Sequence, residues 1–593
     1  MTGNGSARSV TNGLVTTAYE YTPRGEVALE RTTIDGAIYD VTTTYDAAGN
    51  VRTLTGPSGI ATTTDYLGQR PRTVSITGGA APQAITDLEF YPFGPRTRAL
   101  LPPYSQDAHA NVVTSERSYN LRGQVEHVAV TGPAGLAVLD LTYAYDLTGG
   151  GAAPDDPGPD LDRVIDGRDG TQSRLYRYDP LGRLSEAEDL SGAPLFGYGY
   201  DAAGNRISSA GPAGSLGYGY EAGSNRLSER TIGTNVLTHY HHDAYGSRDY
   251  AGSLPYTTTP TYVYNQAGRI ASVTGQLPTP SYTYDAFGRR IKKTASGITT
   301  LFFYDAQGRL LEEIAAPAMT GSPVRRYVFV EGELLGIASE TRPVGAPAWS
   351  APLVPGWLRP EPGAVIFVIA LGLVVLTVPL VRRRPLAAVP VVLVAALSLG
   401  DSCPSPPPSF AAVHTDALGT PLAVTATTAA SPTSPVVLWR ASYEPFGAAT
   451  VNEDPDNDGH GFVLNVRLSG QYYDFETGLH YNFYRTYDPA TGRYLEADPI
   501  GQAGGLNPYA YVANRPTGFS DPSGLECFDT VCAAAGTRKR SRKPSDCPLL
   551  RELALQLDRF SFRRASRARR RVGTRIVRPI RRAMMRCKAQ PMR

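Results

Sequence analysis

Cysteine is missing from the first 402 residues of this 593-residue chain, and the five present are Cys403, Cys527, Cys532, Cys547 and Cys587. A body stapled by disulfides is therefore excluded. Cys527 and Cys532 do not have zinc-knuckle spacing, and the last 68 residues hold no histidine to complete such a site. Free thiols, or one or two bridges formed after export, are expected there. No apolar run opens the chain, since MTGNGSARSV lacks the hydrophobic region of a secretory signal. The sequence instead enters a repeat almost at once, as a chain starting mid-gene would. Glycine shows no period of three, which excludes collagen.

Glycine (61) and proline (48) are abundant, and tyrosine (35) outnumbers phenylalanine (17) two to one. That mixture favours turn-rich β structure with ring-lined sheets over helices. The net charge of +2 conceals an asymmetry. Residues 526–593 carry 20 Lys and Arg against 5 Asp and Glu, and the remainder carries 37 against 50. A body of net −13 is thus joined to a tail of net +15, a physical reason for the two to associate.

Self-similarity dominates residues 1–340. The phrases beginning at Tyr45, Tyr178, Tyr200, Tyr264, Tyr284 and Tyr304 share the template Y-[DN]-x-x-G-[RN], with a branched or long aliphatic residue close behind. Looser copies start at Tyr21, Tyr91, Tyr119 and Tyr220, the last with Ser224 in the glycine position. The physical reading is a train of β-hairpins. An Asp side chain caps each turn, and the glycine three residues on supplies a positive φ. Single hairpins are marginal, so neighbours must stack into one sheet. Each tyrosine ring would pack on the next repeat while its hydroxyl reaches water or a backbone group.

These phrases resemble the YD repeats of the RHS family, shared by bacterial polymorphic toxins, the C component of insecticidal toxin complexes, and teneurins. The resemblance spans about residues 15–340 and 411–525. It implies a mainly β fold in which a sheet strip spirals into a full or partial shell. The rival architecture is a generic β-solenoid or propeller, although propeller repeats are about twice as long.

Residues 341–410 break the pattern as a Pro-rich linker. Gly363 to Val381 is a run of 19 residues without charge, followed by Arg382, Arg383 and Arg384 and by a second apolar run, 385–399. Such a run is long enough to cross a bilayer, and the arginines place the tip of a transmembrane hairpin on the cytoplasmic side. Two helices buried in a soluble fold are the rival reading.

Residues 411–525 resume the hairpin language and lead into GQYYDFETGLHYNFYRTYDPATGRYLEADPIG and NPYAYVANRPTGFSDPSGL, which resemble the RHS repeat-associated core. In relatives that cut themselves, one Arg and two Asp act together, and the cut follows the Leu of D-P-x-G-L. The resemblance assigns these roles to Arg485, Asp498 and Asp521, with the cut between Leu525 and Glu526. Two close carboxyls suit peptide hydrolysis, because one can be ionised to take a proton from water while the other is protonated. Arg515 and Ser523 are expected not to touch this triad, and His414 to be structural. Asp454, Asp456 and Asp458 have the spacing that opens a calcium loop, but Asn465 stands where a bidentate Glu belongs. Calcium is therefore a weak candidate and no other cofactor is expected.

The basic tail, 526–593, includes an expected amphipathic helix over PLLRELALQLDRF. It suits nucleic acid or anionic lipid. The resulting expectation is a bacterial, polymorphic-toxin-like protein, membrane-associated, secreted or at the cell surface. Its shell would carry its own tail, released by aspartyl-type self-cleavage, with a cognate immunity protein and secretion machinery as partners. The alternative is a non-cleaving surface protein that binds carbohydrate or protein through the shell.

Overall fold

The computed structural model describes residues 8–529 except 79–82, 93, 102–112, 133–134, 146–159, 213, 256–260, 276–278, 317–323, 340–409, 429–430 and 526–527. The expected membrane hairpin, Gly363 to Val381 with 385–399, and the helical tail lie outside the described residues, as does Glu526. The chain divides into units Met1–Gly536 and Thr537–Arg593, and every described residue belongs to the first.

A 21-stranded antiparallel sheet runs from Ser9–Thr11 to Arg248–Gly252, and a 12-stranded one from Tyr262–Tyr264 to Ala449–Asn452. Strands pair in sequence order, each with the next. No described helix is long and apolar enough to cross a membrane. The expectation of β-hairpin repeats holds, and the turn chemistry explains it. In the turn after Tyr284, the Asp285 amide donates to the Arg289 carbonyl at 2.9 Å. Asp285 Oδ1 accepts from the Phe287 and Arg289 amides, both at 2.9 Å, while Oδ2 takes Arg289 Nε at 2.6 Å. Gly288 sits at φ +84°, which only glycine adopts cheaply. The ladder slips by one residue at Tyr284, as at Tyr178 and Tyr200. That bulge turns the ring along the sheet.

Most repeat tyrosines then tie back to the previous repeat. The hydroxyl of Tyr200 donates to the Leu184 carbonyl at 2.7 Å, Tyr264 to Arg248 at 2.7 Å, Tyr284 to Ile270 at 2.8 Å and Tyr304 to Arg290 at 2.6 Å. Tyr45, Tyr66, Tyr119, Tyr178 and Tyr220 do likewise. One sequence assignment is corrected and another refined. The copy placed at Tyr91 begins at Phe90, because Tyr91 occupies the Asp position, donating to Pro95 and accepting from Gly94. In the Tyr220 copy Ser224 does stand in the glycine position, its amide donating to the Glu221 carbonyl at 3.1 Å, but Gly223, at φ +70°, provides the left-handed residue and the turn is one residue longer, closing at Arg226.

The strip folds back on itself. Asn12 Nδ2 donates to the Tyr284 carbonyl at 2.7 Å, and Ser58 Oγ to Glu312 at 2.9 Å. Glu333 bridges Arg96 at 2.9 Å and Arg117 at 2.6 Å, and the Ala417 amide meets the Tyr143 hydroxyl at 3.1 Å. Early and late repeats therefore share one apolar cluster, in which Ile60, Ile85 and Leu101 join Phe302, Val328 and Ala423. The strand Glu333–Ser339 pairs directly with Phe410–Thr415, Ala338 opposite Phe410. Phe410, assigned from sequence to the end of the insertion, thus opens a wall strand, and the segment between leaves and re-enters at adjacent strand ends.

The core docks on this wall. Its small sheet comprises Tyr472–Asp474, Leu479–Asn482, Arg485–Asp488 and Arg493–Tyr494. Repeat-turn residues grip it. Arg248 pairs with Asp488 at 2.7 Å, and Arg493 donates to the Asn225 carbonyl at 2.6 Å. The Arg290 guanidinium, paired with Asp474, lies among the rings of Tyr282, Phe302, Tyr472 and Tyr481.

Candidate functional site

Arg485 opens the third strand of the core sheet, just after Phe483, whose φ of +52° makes the tight reversal from Asn482. Asp498 lies on the segment after the fourth strand. Its backbone amide donates to the Pro508 carbonyl at 3.0 Å, and its Oδ1 accepts from the Ile500 amide at 3.0 Å. Asp521 begins the D-P-S-G-L phrase, which threads past Gly470 and Asn482. A Cβ on Gly470 would meet the Pro522 carbonyl oxygen at 2.3 Å, and one on Gly524, at φ +73°, would meet the Asn482 carbonyl oxygen at 2.5 Å. Both glycines allow a close approach that any side chain would block.

These three elements bring the sequence-assigned residues together. Arg485 Nη2 lies 3.0 Å from Asp498 Oδ2 and 3.1 Å from Asp521 Oδ2, and all three side chains are at most 4% exposed. Asp521 is faced by further donors. The Tyr494 hydroxyl gives to Oδ2 at 2.8 Å, and the Leu525 amide to Oδ1 at 3.0 Å. Arg485 Nε also donates to the Gly524 carbonyl and Nη1 to that of Pro508 at 3.1 Å. The carboxylate of Asp521 is thus bonded to the amide of the residue whose carbonyl belongs to the expected scissile bond. Leu525 itself is buried.

The two carboxyls differ. Burial pushes Asp498 up, with the nearby Asp521 charge adding to the rise and Arg485 opposing it. Its Oδ2, although close to Arg485, makes no well-aligned hydrogen bond and presses on Gly504, where a Cβ would sit 2.2 Å away. One acid held toward its protonated form beside one ringed by donors is the asymmetry that acid–base hydrolysis requires.

Sequence reasoning missed several supports. Tyr494 stacks under the Arg485 guanidinium at 3.6 Å, and Asn482 Nδ2 donates to both the Tyr494 hydroxyl and the Asp521 carbonyl at 2.8 Å. Both lie within the quoted signature, but residue type and spacing alone do not single them out. Ser523 requires a correction. Its hydroxyl reaches Asp521 Oδ1 at 3.5 Å and so does touch the triad, because the turn folds Ser523 back over Asp521. Arg515 stays apart, reaching the wall at Asp160. His414 is buried against Thr425 at 2.8 Å, and burial pulls its pKa down to about 3, as suits a packed neutral imidazole.

Asp454, Asp456 and Asp458 converge, with ligand oxygens within 4.8 Å of one another. Asp454 already accepts from the Asp458 and Gly459 amides at 3.1 Å, and Asn465 Nδ2 is turned to the Tyr472 hydroxyl at 2.9 Å. The geometry accounts for a capped acidic turn without an ion.

Comparison with known proteins adds four findings. The Teneurin YD-shell family model matches residues 162–317. The chain is 41% identical over 112 residues to "Toxin protein Tse5" of Pseudomonas aeruginosa, covering 19% of this chain and 8% of that one. It is also 47% identical over 78 residues to "Probable deoxyribonuclease RhsA" of Dickeya dadantii, covering 13% and 5%. The chain therefore spans less than a tenth of either relative. The crystal structure of TcdB2-TccC3 superposes with a TM-score of 0.60 at 19% identity, covering 86% of this chain and 24% of that one, a likeness of fold.

Proposed function

This chain is a YD-repeat shell protein related to the Rhs toxins, and from that premise we propose that it severs itself between Leu525 and Glu526, freeing the basic segment 526–593 as an effector in competition between bacteria. Asp521 takes a proton from water, whose oxygen attacks the Leu525 carbonyl carbon. Asp498 gives its proton to the Glu526 nitrogen as the carbon–nitrogen bond breaks. The products are a Leu525 carboxyl terminus and a Glu526 amino terminus, and one proton has passed to Asp521 as another left Asp498. Arg485 holds both acids and steadies charge on the reacting carbonyl.

The observation that carries this reading is the shared guanidinium nitrogen, 3.0 Å from Asp498 and 3.1 Å from Asp521, with Asp521 bonded to the Leu525 amide. Before release, the wall would keep a polycation away from the nucleic acid and anionic membranes of the cell that makes it. The apolar run Gly363 to Val381 would anchor the shell in a bilayer. Expression of the full chain, followed by C-terminal mass spectrometry, tests the cut: a body ending at Leu525 is expected, and an intact chain would return the protein to a surface-binding role.

A further inference from the structure

The strands bearing Arg485 and Tyr494 are knit by an incomplete ladder. Tyr487 faces Tyr494, so Thr486 faces Leu495. The Leu495 amide donates to the Thr486 carbonyl at 2.9 Å. An antiparallel pair of this kind ordinarily exchanges both bonds, the second running from the Thr486 amide to the Leu495 carbonyl. Here the Leu495 carbonyl is turned away and accepts from the Arg248 amide of the wall at 2.9 Å. The Thr486 amide instead donates to Oε2 of Glu496 at 2.7 Å. A side-chain carboxyl has taken the place of the missing main-chain acceptor.

This exchange has consequences on both sides. Thr486 follows Arg485 directly, and Glu496 stands two residues before Asp498. Glu496 is buried, so without an acceptor there the Thr486 amide would be stranded. Burial pushes the Glu496 carboxyl up to about 7, with the Thr486 amide and Arg269 of the wall opposing the rise, and Arg269 also bonds the Tyr484 carbonyl on the other side of Arg485.

We propose that Glu496 is a positioning residue for the self-cleavage assigned above, stitching the strand of Arg485 to the segment of Asp498 while the wall occupies the Leu495 carbonyl. The inference rests on that reading of the site. Glu496 touches no reacting atom; it sets the spacing of two groups that do. Since Arg248 takes the Leu495 carbonyl only when core and wall are docked, the triad is held in register by an assembled wall.

The test uses the full chain made by cell-free synthesis, following the appearance of the C-terminal fragment with time. Glu496→Ala is expected to slow the cut by roughly 10- to 100-fold, the scale of a small misplacement of reacting groups. Glu496→Gln, which keeps a carbonyl oxygen for the Thr486 amide, is expected to restore most of the rate. Hydrogen exchange of the peptide around Thr486, in an Asp521→Asn background, reports the stitch without the cut: faster in Glu496→Ala, unchanged in Glu496→Gln. Glu496→Ala cutting at the unmodified rate, or Glu496→Gln failing to rescue while Thr486 stays protected, overturns the proposal. If the unmodified chain does not cut at all, the self-cleavage reading falls and this proposal falls with it.

Discussion

Arg248 of the repeat wall and Asp488 of the core form an ion pair of 2.7 Å in which the guanidinium is 2% exposed. Burial alone would push Asp488 up, yet the charge and hydrogen bond of Arg248, together with the Thr491 hydroxyl and the Arg230 charge, outweigh it and hold the carboxyl below its ordinary range. The Thr491 hydroxyl donates to the same oxygen, Oδ2, at 2.8 Å, and the Ala490 amide to Oδ1 at 3.0 Å. Removing one partner leaves the other charged and dry. Arg248→Ala is expected to cost about 3–5 kcal/mol, read as a lower urea midpoint and as faster proteolysis within the core.

The proposed cut has its own signature. Asp521→Asn keeps the shape of the side chain and one accepting oxygen but cannot take a proton from water. The C-terminal fragment should vanish from a denaturing gel, with the fold intact by circular dichroism. Asp498→Asn should slow the cut by about 100-fold or more. Equal cutting by either variant and the unmodified chain would remove the carboxyl pair from the chemistry.

Gly504→Ala probes the same acid from outside. Its Cβ would meet Asp498 Oδ2 at 2.2 Å, and the neighbouring 3₁₀ turn, Gly501–Gly504, is exposed and can yield. The expected result is a chain of near-normal thermal stability that cuts slowly, checked by a melting curve alongside the cleavage time course.

Buried imidazoles predict an acid limit. Burial brings His414 and His480 down to about 3 and His242 to about 2, with nearby arginines adding to the fall in each case. Unfolding returns each to about 6.5, so below that pH the unfolded chain binds more protons than the folded one. Stability is therefore full above pH 6.5 and declines as the pH falls towards 3, by up to about 1.4 kcal/mol per pH unit for each histidine. Melting temperatures between pH 7.5 and 5 check the slope, which His414→Gln should flatten.

The hydroxyl ties give a graded test. Tyr284→Phe and Tyr304→Phe each strip a buried carbonyl of its donor and should cost about 1–3 kcal/mol, measured as a shift in the urea midpoint without a change in the cut.

The repeat was legible because its chemistry is local. Asp285, Gly288 and Arg289 close their turn within five residues, and that closure is written in the spacing. The triad was legible by resemblance, since Arg485, Asp498 and Asp521 fall within one continuous signature. What the spacing could not yield were relations across long separations, such as Ser58 with Glu312 or Tyr143 with Ala417, which depend on how far the strip curves before it meets itself. Glu496 was hidden for another reason. Its role exists only because the Leu495 carbonyl is diverted to Arg248, and a diverted main-chain bond leaves no mark in side-chain sequence. The error at Phe90 arose from aligning letters where the backbone aligns the turn bonds, and the longer turn at Gly223 was hidden because spacing does not show which residue turns left-handed.

The nine repeat ties described above all point one way: each hydroxyl seeks a carbonyl that precedes it in the chain. A polypeptide leaving the ribosome amino end first would find every such acceptor already made when the next ring arrives. Winding can then proceed stepwise during synthesis, with the core, which emerges after every repeat, seating itself on a wall that is already laid down.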